Sequence, residues 1–154
     1  MNPFRLTCLS LLLSAALPAL ATVTVSFPSQ MYTDIGPPGR ESDDVKNELA
    51  RHLQSLDAKY LASGDNLWIE VIDVDLAGNR TMGRYDIRVS RGKSDFPTVV
   101  VRYKLERGGK TTSGEDTLTD SSYQQSMTMQ GSSSALYHEK RLLEGWFKER
   151  FARR

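Results

Sequence analysis

The chain has 154 residues, 39% of them hydrophobic, with 20 Lys and Arg against 19 Asp and Glu and one cysteine. That length suits one domain with a real core. The balance of charge excludes an overall field for gathering nucleic acid, and a lone cysteine excludes a disulfide framework or a cysteine-built zinc site.

Residues 1–21 carry the three parts of a secretory signal: a short basic start with Arg5, an apolar run, and an A-x-A site at Ala19-Leu20-Ala21. The run is too short to span a bilayer, and Pro18 breaks it near its end. Cys8 follows Thr7 rather than a small residue and has only a brief segment ahead of it, so it is poorly placed for lipid attachment. The expectation is a periplasmic protein that is not a lipoprotein, with a single mature domain over 22–154 and no membrane insertion after cleavage. Loss of Arg5 leaves 19 basic against 19 acidic side chains and no thiol. The basic end, KERFARR, reads as a helix terminus whose cations complement the dipole.

Val23, Val25 and Phe27 alternate with Thr24 and Ser26, predicting a half-buried strand ended by Pro28. After the Gly36-Pro37-Pro38-Gly39 loop, Ser42 is placed as an N-cap. Val45, Leu49, Leu53, Leu56 and Tyr60 then mark an amphipathic helix closed near Gly64. Leu67 to Leu76 predicts a second strand, parallel to the first because a helix separates them. A short strand over Tyr85 to Arg91 follows, and a longer one begins after Pro97. Gly108-Gly109 suits a two-residue hairpin turn, which sets Arg102 opposite Glu115 and Val99 opposite Leu118. Residues 121–134, rich in Ser, Gln and Met, read as a mobile loop. A final helix over Leu136 to Phe151 gathers Leu136, Leu142, Leu143, Trp146, Phe147 and Phe151 on one side, with Glu139 and Arg150 inside that arc. Charges there need partners, and Arg88 or Arg102 are the candidates for Glu139. The outline is α+β: a two-layer mixed sheet, β-α-β-β-β-β-α, with both helices on one face.

Chemical motifs are sparse. Asp73-Val74-Asp75 opens like a calcium loop, but its fifth position is Ala77 and its twelfth Arg84, where oxygen ligands are required. The two aspartates on one side of a strand end remain candidates for a metal or an acid/base pair, or for accepting loop amides. Gly109-Lys110-Thr111 resembles the end of a phosphate loop, but Lys104 stands where its first glycine belongs. His52 and His138 fall on different helices without H-E-x-x-H spacing, and no G-x-S-x-G elbow or cofactor motif occurs. Asn79-Arg80-Thr81 is a glycosylation sequon that matters only in a eukaryotic secretory pathway. Trp68 and Trp146 are candidates to line a ligand groove, but at their strand and helix spacings they read first as core.

Taken together, several blocks resemble one bacterial family. Tyr32-Thr33-Asp34-Ile35 and Ile69-Glu70-Val71 running into Asp73-Val74-Asp75-Leu76-Ala77-Gly78 are similar to its first half. Asp86-Ile87-Arg88-Val89, Leu118-Thr119-Asp120 with Tyr123, and Tyr137 through Trp146-Phe147 are similar to its second. The family is catalogued as domain of unknown function three thousand and sixteen. The resemblance implies a signal-bearing protein of the Gram-negative envelope and carries over no catalytic residue, cofactor or metal. It marks Asp73, Asp75, Gly78, Asp86, Arg88, Asp120, Tyr123, Glu139 and Trp146 as candidate motif residues without a role.

Two functions follow as expectations. The first is a non-enzymatic binding or envelope-accessory module whose partner is an envelope protein or a small ligand, met through the 121–134 loop. The alternative is an uncatalogued hydrolase or metal-dependent enzyme using Asp73, Asp75, Asp86 or Asp120, which requires those carboxylates to converge in one cleft.

Overall fold

Alternation of apolar and polar side chains decides how each long strand lies. A computed structural model describes residues 20–28, 31–35, 37–76, 96–121 and 136–153, with 79–80 and 88–89 described by backbone alone. In chain order its elements are β1 (Thr22–Ser26), α1 (Arg40–Gln54), α2 (Asp57–Tyr60), β2 (Asn66–Asp75), β3 (Asn79–Arg80), β4 (Arg88–Val89), β5 (Thr98–Arg107), β6 (Lys110–Thr119) and α3 (Tyr137–Phe151). Four strands form a sheet in the order β1-β2-β5-β6. β1 runs parallel to β2, and the remaining pairs are antiparallel.

The architecture is the α+β mixed sheet with helices on one face that the sequence predicts. The hairpin register also agrees, with Arg102 opposite Glu115 and Val99 opposite Leu118. Gly108 and Gly109 take φ of 56° and 75°, the double positive φ that a tight two-residue turn requires. Around the predicted Tyr85 to Arg91 strand the described part is Arg88–Val89, which pairs with Asn79–Arg80 in a separate two-stranded ribbon.

The first long helix differs in detail. Gly39 occupies the N-cap, not Ser42, which lies inside the helix, buried, and donates from Oγ to the Gly39 carbonyl at 3.1 Å. Pro37 and Pro38 deliver the chain directly into the first turn, so the helix starts earlier than the hydroxyl signal suggests. It also ends earlier: Ser55 donates to the His52 carbonyl at 2.6 Å, and the short α2 follows after a break. Leu49, Leu53 and Leu56 stay buried across that break.

One face of the sheet carries the core. Val23, Leu67, Ile69, Val71, Val99, Val101, Tyr103 and Leu118 meet Leu49 and Leu53 of α1 and Leu143, Phe147 and Phe151 of α3. Tyr103, Trp146 and Phe151 stack edge to face, with ring centroids 5.1–6.1 Å apart. A bulge at Ile72 breaks the period of β2, since Val71 pairs with Val101 and Asp73 with Val100. Without it, Asp73 and Asp75 would continue the buried set 67, 69, 71. With it, Val74 and Leu76 are buried and both aspartates turn away.

Candidate functional site

The Tyr32–Ile35, Asp73–Leu76 and Leu118–Asp120 blocks lie at the end of the sheet where β2 and β6 finish. β1 stops opposite Glu70, which leaves the rest of the β2 edge to residues 31–35. Asp34 N donates to the Val74 carbonyl at 3.1 Å, and Tyr32 Oη reaches the Val71 carbonyl at 3.3 Å. Both carboxylate oxygens of Asp73 are engaged by Thr33, from its amide at 2.8 Å and its hydroxyl at 2.6 Å. Asp73 therefore ties the Tyr32-Thr33-Asp34-Ile35 block to the strand end.

The other candidates divide into separate roles. Asp75 pairs in register with Thr98, and Thr98 with Thr119, the residue before Asp120, so Asp75 and Thr119 lie on strands two apart, on the order of 10 Å. Asp120 accepts Arg141 Nη2 at 3.1 Å, and its amide reaches the Pro97 carbonyl. Trp146 is core, with its indole Nε1 donating to Asp116 at 2.9 Å, and Arg150 donates to the same carboxylate at 2.6 Å. Arg150, one of the two charges inside the helix arc, is thus paired. Glu139 is buried. Arg102 is not its partner, because that guanidinium points to the opposite side of the sheet. Gly78, Asp86, Tyr123 and the 122–134 part of the predicted contact loop lie outside the described residues, as does the Arg88 side chain. Asp73, Asp116 and Asp120 each answer a different partner.

The histidines lie one on each long helix, His52 on α1 and His138 on α3. His52 Nε2 lies 2.9 Å from the Lys140 carbonyl, linking α1 to α3. Burial lowers its pKa, against the raising effect of that hydrogen bond. Burial also lowers the pKa of His138, opposed by Asp120. Elsewhere, burial of Asp65 works against its charge. Arg107 and the Ala62 amide outweigh burial and hold the carboxyl below its ordinary value. Among the described residues, no group of three or more His, Cys, Asp or Glu side chains is disposed to hold a metal ion.

A second region emerges on the sheet face turned away from the helices, and here the sequence reading missed its centre. Trp68 is not core: it is 36% exposed on that open face. Its neighbours by register are Thr24 on β1 and Lys104 on β5, with Glu70, Arg102 and Glu115 forming the next row. Arg102 donates to Glu70 at 3.1 Å and to Glu115 at 2.9 Å, and these two carboxylates, Glu115 first, raise its pKa above the ordinary value. Lys104 Nζ stands 4.8 Å from the centre of the Trp68 ring and 2.7 Å from Glu106. Trp68, Glu70, Arg102, Lys104, Ser113 and Glu115 help line an open concavity of about 650 Å³. The signal was legible: Trp68 falls between Leu67 and Ile69, on the polar phase of the strand.

Comparison with known proteins places this arrangement in context. A family model described as "Protein of unknown function (DUF3016)" matches residues 21–149. No curated protein matches. Among solved structures, one titled "Crystal structure of uncharacterized protein" is similar at 14% identity and a TM-score of 0.36, over 85% of this chain and 86% of that one.

Proposed function

The chain belongs to the family described as protein of unknown function DUF3016, and we propose that it is an exported periplasmic module that binds a partner without catalysis. The observation that carries the reading is the open sheet face. An exposed tryptophan, a residue type enriched at interfaces, stands at the side of a concavity among mutually paired polar side chains. The engagement of Asp73 by Thr33 and of Asp120 by Arg141 supports a structural role for those carboxylates over a catalytic one. The signal-like residues 1–21 support export, and no helix among the described residues is long and apolar enough to cross a membrane.

Fractionation and site-directed crosslinking test the two halves of this proposal. Expressed at full length in a Gram-negative host, the protein is expected in the osmotic-shock fluid with a mass lacking residues 1–21. A full-length cytoplasmic product overturns export. A photo-crosslinker at Ser113 should give discrete adducts that disappear with Trp68→Ala and are absent when the crosslinker sits at Lys148 on α3. Equal adducts from both positions overturn the open face as the binding surface.

A further inference from the structure

We infer that the open face accommodates a neutral, hydroxyl-rich oligosaccharide, stacked on Trp68 and hydrogen-bonded by the row beside it; this rests on reading that face as the binding surface. Three observations select that chemistry. The exposed large apolar side chain of the wall is Trp68, since Tyr103 is buried, and one flat indole face matches the C–H face of a pyranose ring and is too small to hold a lipid or an amphipathic helix.

The ionic groups are internally balanced. Within the lining Glu70 and Glu115 stand against Arg102 and Lys104, and each cation already has a carboxylate partner, which for Lys104 is Glu106. A phosphate or a nucleic acid meets no free positive field here, and a cationic ligand competes with Arg102 for Glu70 and Glu115. What this set retains is the capacity to exchange hydrogen bonds with uncharged hydroxyls. Carboxylate oxygens keep spare lone pairs, the guanidinium keeps further N–H groups, and Ser113 and Thr111 add hydroxyls.

The concavity is also open to solvent rather than closed, so a chain can lie across it. Lys104 covers the indole in the free protein. Its ammonium also holds Glu106, so the side chain has a partner to retain when a sugar ring takes its place over Trp68.

The experiment is a nuclear magnetic resonance titration of the folded chain with neutral hexasaccharides of glucose and of N-acetylglucosamine, and with a sulfated glucose hexasaccharide. A neutral chain is expected to shift the Trp68 indole and the Arg102 and Ser113 amides while leaving the buried Trp146 indole in place. Trp68→Ala should weaken binding at least tenfold, and Trp68→Phe, which keeps a stacking ring, should retain most of it. Spectra of both variants verify folding. Preference for the sulfated chain overturns the proposal, because it shows an unpaired basic patch. No shift with any saccharide, while Ser113 crosslinks persist, overturns the saccharide and leaves the open face as the binding surface for another class such as a peptide. Loss of both signals overturns the two readings together.

Discussion

At the scale of single residues, Gly114 shows how closely the hairpin is fitted. A Cβ there would lie 2.7 Å from the Tyr103 hydroxyl and 2.9 Å from its Cζ, so the ring that crosses β6 depends on a glycine opposite it. Tyr103 in turn packs edge-on against Trp146 and Phe151, which leaves its ring little room to withdraw. Gly114→Ala is expected to cost about 1–3 kcal/mol through that overpacking. Chemical denaturation measures it, and an unchanged midpoint would show that Tyr103 moves freely. Residue identity alone was a poor guide elsewhere. Trp68 and Trp146 look alike in composition, yet one lies on the open face and the other in the core. Their positions in a period of two and a period of 3.6 decide the difference.

At the scale of elements, side-chain hydrogen bonds at its margins supplement the apolar contact between α3 and the sheet. Asp116 on β6 receives both the Trp146 indole and the Arg150 guanidinium, clamping the middle and end of the helix to the edge strand. Replacing Asp116 with Ala strands the indole N–H in a largely buried setting, and a loss of about 1–3 kcal/mol is expected. Trp146→Phe, which removes the donor and keeps an aromatic ring, should couple with it in a double-mutant cycle. Strict additivity in that cycle would refute the clamp. The long elements and the hairpin register were legible in the sequence because apolar spacing and Gly108-Gly109 report them locally. The Ile72 bulge was not, because its cause is the partner strand and the core beneath it. Nor was the helix break at Ser55, since the apolar face runs through it unchanged. Of the candidate residues, the contact of the Tyr32-Thr33 segment with Asp73 joins positions forty apart, which local patterns do not encode.

At the scale of the whole molecule, the two histidines couple stability to pH. Burial favours their neutral forms, so their folded pKa values lie below the ordinary 6.5. Below about pH 6.5 the unfolded chain takes up protons that the folded chain resists, and stability falls toward the folded-state pKa values. His52 faces Glu144, Lys140 and Lys59, and His138 faces Asp120 and Arg141, so charge only moderates an effect set by burial. Thermal midpoints are expected to drop between about pH 7.5 and 5.5, and less steeply in His52→Gln. Equal slopes would place the pH dependence elsewhere. The topology also orders assembly in time. β5 and β6 are joined by two glycines and close a short loop, whereas β1 finds β2 only after α1 and α2 have been laid between them. Closing the longer loop costs more chain entropy, and pairing of distant segments is slow. β1 is therefore expected to be the last strand protected and the β5–β6 hairpin among the first, which pulse-labelled hydrogen exchange during refolding checks.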